Sequence, residues 1–268
     1  MSTLRIRCGA VLAAVLVVAV SNAGVGHADS NPNALWRIVG DQCEPNQRQH
    51  GDPAPCAEVD LAGGSAVLKD LVGANQFLLI PIKRITGIES PEVLEPDATN
   101  YFAAAWRARR FVDQRAGWTL PRDWVSLAIN SVLARSQTQF HIHVDCVRAD
   151  VRAALGEHAG EVGPMWAPFP VPLAGHRYDA VAVAGADLDA INPLVLLADG
   201  IAGARETMGD RTLVAVGGFG ADGRPGFVVL SDRADAATGN LAEGEELQDH
   251  SFCPQPPAPS DWLPGSGK

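Results

Sequence analysis

The sequence predicts an α+β fold with a mostly antiparallel sheet and flanking helices. Three observations carry this. Several short segments alternate apolar and polar residues with the period of two that marks half-buried strands. Two pairs of them are joined by short connections, as antiparallel neighbours are. Segments with helical spacing stand between the strands rather than after each one.

Taken in order, Asn33 to Val39 reads as a short helix entering a Pro/Asn/Gln-rich loop between Cys43 and Cys56. Ala66 to Asp70 is a strand candidate. Gln76 to Ile82 is a near-continuous apolar strand ended by Pro81 and followed by Lys83-Arg84. Asp97 to Arg115 has the apolar spacing of a helix, with Asp97 able to cap its start. Its four Arg read as a solvated face. Trp124 to Ser131 is a strand with Val125, Leu127 and Ile129 on one face and Ser126, Ala128 and Asn130 on the other. Val132 to Thr138 connects it to the next strand.

That strand, Gln139 to Cys146, alternates strictly. Phe140, Ile142, Val144 and Cys146 share one face; Gln139, His141, His143 and Asp145 share the other. Same-face residues are roughly 6.5–7 Å apart, so two imidazoles, an amide and a carboxylate stand in a row. Two His on one face need polar partners if they are buried, which sets this strand apart from a bland surface strand. Arg148 to His158 reads as a helix, and Glu161 to Pro172, with four Pro, as an irregular crossing. Tyr178 to Val183 is a strand and Pro193 to Glu206 a helix. Thr212 to Val216 and Gly226 to Leu230 form a hairpin around Ala221-Asp222-Gly223-Arg224.

The chain of 268 residues is 47% hydrophobic, enough for a large core. Residues 1–28 read as an export segment. Arg5 and Arg7 precede an uncharged apolar run, and Gly26-His27-Ala28 resembles a cleavage site before Asp29. Left uncut, Cys8 to Val25 is 18 residues without charge, enough to span a bilayer as an anchor. Either outcome puts the rest outside the cytoplasm. Residues 29–253 then form the functional domain, with the cysteine-containing segment at its start. Residues 254–268 are a Pro/Gly/Ser-rich tail expected to be disordered. Without residues 1–28, 19 basic residues face 31 acidic ones. That balance argues against a general nucleic-acid or anionic-membrane surface, so an anionic substrate needs a local binding cluster. Cys43, Cys56, Cys146 and Cys253 make an even set in an exported chain, which favours two disulfides. Three pairings are open. The short loop favours Cys43 with Cys56, and Cys146 with Cys253 would then tie the His strand to the C-terminal end.

Asn130-x6-Gln137-Thr138-x2-His141-x-His143 resembles the pattern of the histidine-triad superfamily of nucleotide hydrolases and nucleotidyltransferases. More narrowly, CEPNQ…PCAEV, VLKDL, QFLLIPIKRITGIESP, VSLAINS, FHIHVDCVR with its ADVR continuation, GHRY and LQDH resemble bacterial CDP-diacylglycerol pyrophosphatases, from about Cys43 to Cys253. The resemblance implies a histidine-triad-like fold and a lipid substrate at the membrane, with no cofactor or metal. It makes His143 the nucleophile toward CDP-diacylglycerol, giving CMP and phosphatidate through a nucleotidyl-histidine intermediate. Asp145 stands where the triad has its last His, and Gln76 and Arg84 look like its upstream His positions.

Within this reading His141 makes a hydrogen bond at the phosphates, and Gln137 and Thr138 hold phosphate oxygens. Asn130 orients an imidazole, and Asp145 orients a ring or water. Lys69, Arg84 and Arg148 are candidate cationic contacts against the usual fate of surface cations. His250 approaches the strand if Cys253 pairs with Cys146, and His176 is a weaker candidate. The alternatives are a related enzyme acting on another nucleotide, a zinc hydrolase using His141, His143 and Asp145, and a non-enzymatic exported lipid-binding protein.

Overall fold

The computed structural model describes residues 31–220 and 222–256. The expected export segment, 1–28, and residues 257–268 of the expected tail lie outside the described residues. Pro254, at the start of that tail, accepts a hydrogen bond from the Trp118 indole at 2.9 Å.

Nine strands form one sheet: β1 (Glu58–Asp60), β2 (Ser65–Lys69), β3 (Phe77–Pro81), β4 (Val125–Ile129), β5 (Ile142–Cys146), β6 (Ala167–Pro168), β7 (Asp179–Ala184), β8 (Arg211–Phe219) and β9 (Pro225–Arg233). Their order is β1-β2-β3-β5-β4-β8-β9-β7-β6, and every neighbouring pair is antiparallel. This is the α+β architecture the alternation predicts. β5 sits between β3 and β4, with His143 opposite Leu78 on one side and Ala128 on the other.

The odd-even division of the strands separates two environments. Val125, Leu127, Ile129, Phe140, Ile142 and Val144 join one buried cluster with Phe102, Ala105, Trp106 and Val112 of helix α3 (Tyr101–Ala116) and with Leu194 and Leu197 of α5 (Pro193–Gly200), taking α1 and α2 as Ala34–Ile38 and Glu44–His50 and α4 as Ala149–Glu157. Burying side chains such as Phe140, Ile142 and Val144 is worth about 1.5–3 kcal/mol each. A one-residue slip of β5 would forfeit all three, so the register that aims the histidines the other way is set by packing behind them. Gly217 lets β8 pass beneath α3: a Cβ there would lie 2.3 Å from the Arg122 carbonyl oxygen and 2.7 Å from the Trp106 ring.

The opposite face carries two further clusters. One joins Leu35, Val39 and the Cys43 and Cys56 sulfurs to Leu78 and Ile80. The other packs Val151 and Leu155 of α4, with Phe169, Leu173 and Leu247, on Ala128, Val214 and Leu230. His143 lies at the seam between them.

Several boundaries differ from the sequence reading. The expected strand Gln139–Cys146 joins the ladder only from Ile142, because the Phe140 N–H bonds the Ile85 carbonyl beyond the end of β3. The expected Cys43–Cys56 loop is largely helical: α1 runs through a π-turn at Val39–Cys43 into α2, which stops where Gly51 takes a left-handed φ of 67°. Helix α3 starts at Tyr101, capped by Asn100 rather than Asp97. A turn from Glu95 to Ala98 keeps Asp97 outside, while Asn100 Oδ1 accepts from the Ala103 N–H at 3.0 Å. The expected Pro193–Glu206 helix ends at Gly200, and a 3-10 turn follows at Arg205–Asp210.

Both disulfides are formed, Cys43–Cys56 and Cys146–Cys253, across sequence separations of 13 and 107 residues. Loop closure makes the longer link the stronger constraint on the unfolded chain, about 4.7 kcal/mol against about 3. Paired Cys→Ser variants should therefore lose stability in that order in urea denaturation.

Candidate active site

His143 is 6% exposed and His141 7%. Their rings meet edge to face with centroids 4.9 Å apart. His141 Nδ1 lies 2.7 Å from the Gln139 carbonyl oxygen. A carbonyl only accepts, so the proton is on Nδ1 and Nε2 carries a lone pair. Burial, followed by the charge of His143, pushes the His141 imidazole down to about 4. At neutral pH it is uncharged and offers an acceptor at Nε2 rather than a donor to a phosphate oxygen.

His143 Nδ1 faces two groups, the Gln76 amide at 2.5 Å and Glu245 Oε2 at 2.9 Å. A carboxylate cannot donate, so pairing with Glu245 puts the proton on Nδ1; Gln76 Nε2, the atom placed at 2.5 Å, is then compatible only with its amide turned over so that the oxygen faces Nδ1. His143 Nε2 is then a bare lone pair, buried and without a hydrogen-bond partner. Glu245 is fixed in turn. Its backbone N–H donates to Asn130 Oδ1 at 3.2 Å. Burial opposes its charge, but hydrogen bonding and charge from His143, and the charge of His250, outweigh that and hold the carboxyl well below its ordinary value.

Glu245 lies in a 3-10 turn, Gly244–Leu247. Gly244 is what lets this turn press onto β8, since a Cβ there would lie 2.2 Å from Thr212 Oγ1. The segment continues over β5 as a strap. Gln248 Nε2 donates to the carbonyls of Ser126 and His143 at 3.2 Å each and lies 3.0 Å from Ser126 Oγ. The Asp249 N–H donates to the Cys146 carbonyl at 2.9 Å, and the Cys146–Cys253 disulfide closes the strap. His250 Nδ1 sits 3.2 Å from Asp145 Oδ2.

Asn130, His141, His143, Asp145 and His250 are thus gathered in one region. Gln137 and Thr138 are engaged elsewhere. Gln137 Oε1 accepts from the Leu35 N–H at 3.2 Å, and Thr138 Oγ1 bonds the Pro32 carbonyl and Asn33 Oδ1 at 3.0 Å each. Arg84 also reaches Asn33. Lys69 donates to the carbonyls of Asp70 and Gly73 at 2.7 and 2.9 Å and lies over the Phe77 ring. Arg148 pairs with Asp150 at 2.7 Å, and His176 with Glu246 at 3.3 Å.

Residue patterns did not single out Glu245, Gln248 or Arg135. Arg135 grips Glu89 through two bonds of 2.6 Å. It lines a crevice beside His141 with Gly87, Asn130 and Gln139. That crevice holds about 10 Å³, less than a nucleotide needs. A cleft of about 780 Å³ lies at the ends of β7, β8 and β9 around Ala184, Gly218 and Arg224, and neither His141 nor His143 lines it. His141, His143 and Asp145 each have separate protein partners. Among the described residues, the group of His, Cys, Asp or Glu close enough to share a metal is Asp145 with Cys146 and Cys253, whose sulfurs are bonded to each other.

A buried imidazole with one nitrogen bare and the other held by a carboxylate is the equipment of a hydrolase. The family model for CDP-diacylglycerol pyrophosphatase matches residues 30–255. Over 222 residues the chain is 42% identical to a protein of Yersinia pestis named CDP-diacylglycerol pyrophosphatase, covering 83% of this chain and 84% of that one. The chain belongs to the CDP-diacylglycerol pyrophosphatase family.

Glu243, beside Glu245, shows the opposite electrostatics. Burial first, then the charge of Glu245 and a hydrogen bond to it, raise its carboxyl to about 7. The folded state therefore keeps a proton that the unfolded state has lost, and stability falls as pH rises from about 4.5 to about 7. Glu243→Gln should flatten this slope, leaving the variant more stable than wild type at pH 8 and no more stable at pH 4 in thermal melts.

Proposed function

We propose that this protein hydrolyses CDP-diacylglycerol to CMP and phosphatidate, with His143 carrying the cytidylyl group between the two halves of the reaction. The observation that carries this reading is the bare, buried Nε2 of His143, backed at Nδ1 by Glu245. Nε2 attacks the phosphorus attached to cytidine, and the phosphoanhydride oxygen leaves with phosphatidate. Water then displaces the histidine and releases CMP. As positive charge develops on the ring, the Glu245 carboxylate stabilises it and keeps Nε2 aimed.

The leaving group is itself a phosphate, so strong acid help is not essential, and positioning with charge stabilisation suffices. Asn130 supports Glu245 through its backbone N–H. His141 packs on the nucleophile and, being neutral, accepts a hydrogen bond from a substrate or water O–H. Arg135, beside His141, contacts the diphosphate only when it exchanges its partner Glu89. On this reading Gln137 and Thr138 contact phosphate only when they exchange their partners at residues 31–35, and Lys69 acts at a distance. The reaction needs neither cofactor nor metal.

The histidine-triad pattern from Asn130 to His143 supports the same chemistry, with Asp145 in place of the last His. We place the domain outside the cytoplasm, following the export segment at 1–28 and the two disulfides, at the membrane that holds its lipid substrate. Among the described residues no helix is long and apolar enough to cross a membrane. The uncharged run at residues 8–25 is the anchor when the export segment is not cleaved.

Incubation with CDP-diacylglycerol should yield CMP and phosphatidate in equal amounts, undiminished by excess chelator. His143→Ala should lower the rate by at least about 10³-fold with the fold intact. Loss of turnover on chelation would point to the zinc hydrolase, and unchanged turnover in His143→Ala would remove the covalent route. Glu245→Gln should cost about 10²-fold in kcat, the size of effect expected when an imidazole's partner is neutralised.

A further inference from the structure

We propose that Asp145 and His250 form a second catalytic pair, in which His250 gives a proton to the departing phosphatidate and takes one from the water that clears His143. This rests on the reading that His143 carries the cytidylyl group.

The geometry sets His250 apart from an ordinary surface histidine. Asp145 is fully buried, two residues along β5 from His143 on the same face, a step of roughly 6.5–7 Å. Oδ1 accepts the Cys146 N–H at 2.8 Å, which leaves Oδ2 for His250 Nδ1 at 3.2 Å. With Nδ1 committed, Nε2 is the working nitrogen of His250. The side chain is 32% exposed, so it meets water where His143 does not.

The backbone of His250 is clamped on both sides. Its carbonyl accepts the Ala74 N–H at 2.8 Å, Asp249 is tied to Cys146, and the disulfide closes three residues later at Cys253. The turn carrying Ala74 also leads into Gln76, which touches His143. The two imidazoles therefore share one set of supports.

The groups acting on His250 come from three elements: Asp145 of β5, Glu245 of the strap and Asp70 of the β2–β3 turn. His143 and Lys69 act on the same site through Asp145. The bond to Asp145 leads these influences and, against burial, raises the His250 imidazole above its ordinary value. His141 does not suit the same task, because burial makes it too weak a base.

In the first step the His143 Nε2 lone pair forms the N–P bond. The P–O bond to phosphatidate breaks, its electron pair stays on oxygen, and His250 Nε2–H protonates that oxygen. In the second step water attacks phosphorus, its proton passes to the now neutral His250 Nε2, and the N–P pair returns to His143. The sum is substrate plus water giving CMP plus phosphatidate, with His250 recharged. Water is a poorer nucleophile than phosphatidate is a leaving group, so loss of His250 should slow the second step more than the first.

The test is rapid alkaline quench of the full domain with CDP-diacylglycerol labelled in the cytidylyl phosphate. His250→Gln should release one burst of phosphatidate per enzyme and hold the cytidylyl adduct. Steady turnover should then be about 10²-fold slower, and added imidazole should speed the release of CMP from His250→Ala. Asp145→Asn should shift the limb of the kcat–pH profile assigned to His250 to lower pH with KM unchanged. An adduct that forms in wild type but does not accumulate in His250→Gln, with the pH limb unmoved in Asp145→Asn, would overturn the pair alone. No adduct in either enzyme would overturn the pair and the nucleotidyl-histidine route together. If His250→Gln does not fold, as judged by circular dichroism, the adduct and pH measurements on Asp145→Asn decide the matter.

Discussion

The alternation of β5 is the constraint from which the rest follows. One face is sealed by Phe140, Ile142 and Val144 against α3. The other buries two imidazoles, a carboxylate and an amide, each of which costs free energy unless it is paired. The chain meets that demand with groups brought from far away in sequence. Gln76 comes from the end of β3, Asn130 from the end of β4, and Glu245, Gln248 and His250 from the strap. The site is what pairing this polar row looks like, with His143 Nε2 the imidazole nitrogen left bare, along with the amide oxygens of Gln76, Gln139 and Gln248.

That leftover nitrogen separates the two histidines. His141 and His143 have nearly equal exposure and touch each other, yet their Nδ1 partners differ in kind. A neutral carbonyl does little to stabilise a developing imidazolium, whereas a carboxylate does much. On the proposed mechanism, Gln139 on one side and Glu245 on the other are what divide the pair into supporting ring and nucleophile.

The sheet was legible because it obeys the period of two. β3, β4, β5 and the β8–β9 hairpin lie where alternation and apolar runs put them, and β4 and β5 pair as their short connection requires. Helix ends were less legible because Asp97 and Asn100 are both good caps, and the turn before α3 decides between them. Glu245 was hidden for a different reason. Gly244–Leu247 is a short polar turn without periodicity, and only its packing on Thr212 and Asn130 gives it a role. Gln137 and Thr138 show the converse: their spacing suits phosphate, but residues 31–35 already occupy their hydrogen-bonding groups.

The strap also sets an order of events. Glu245, Gln248 and His250 all lie about 100 residues after the strand they serve. During synthesis the sheet side of the site emerges first, with a buried polar row and nothing to cover it. Cys146 waits for Cys253 across that interval, and the bond between them forms only where thiols are oxidised. The cover over the polar row is therefore fastened last, by a bond that forms only where thiols are oxidised and by side chains made about 100 residues after the strand beneath them.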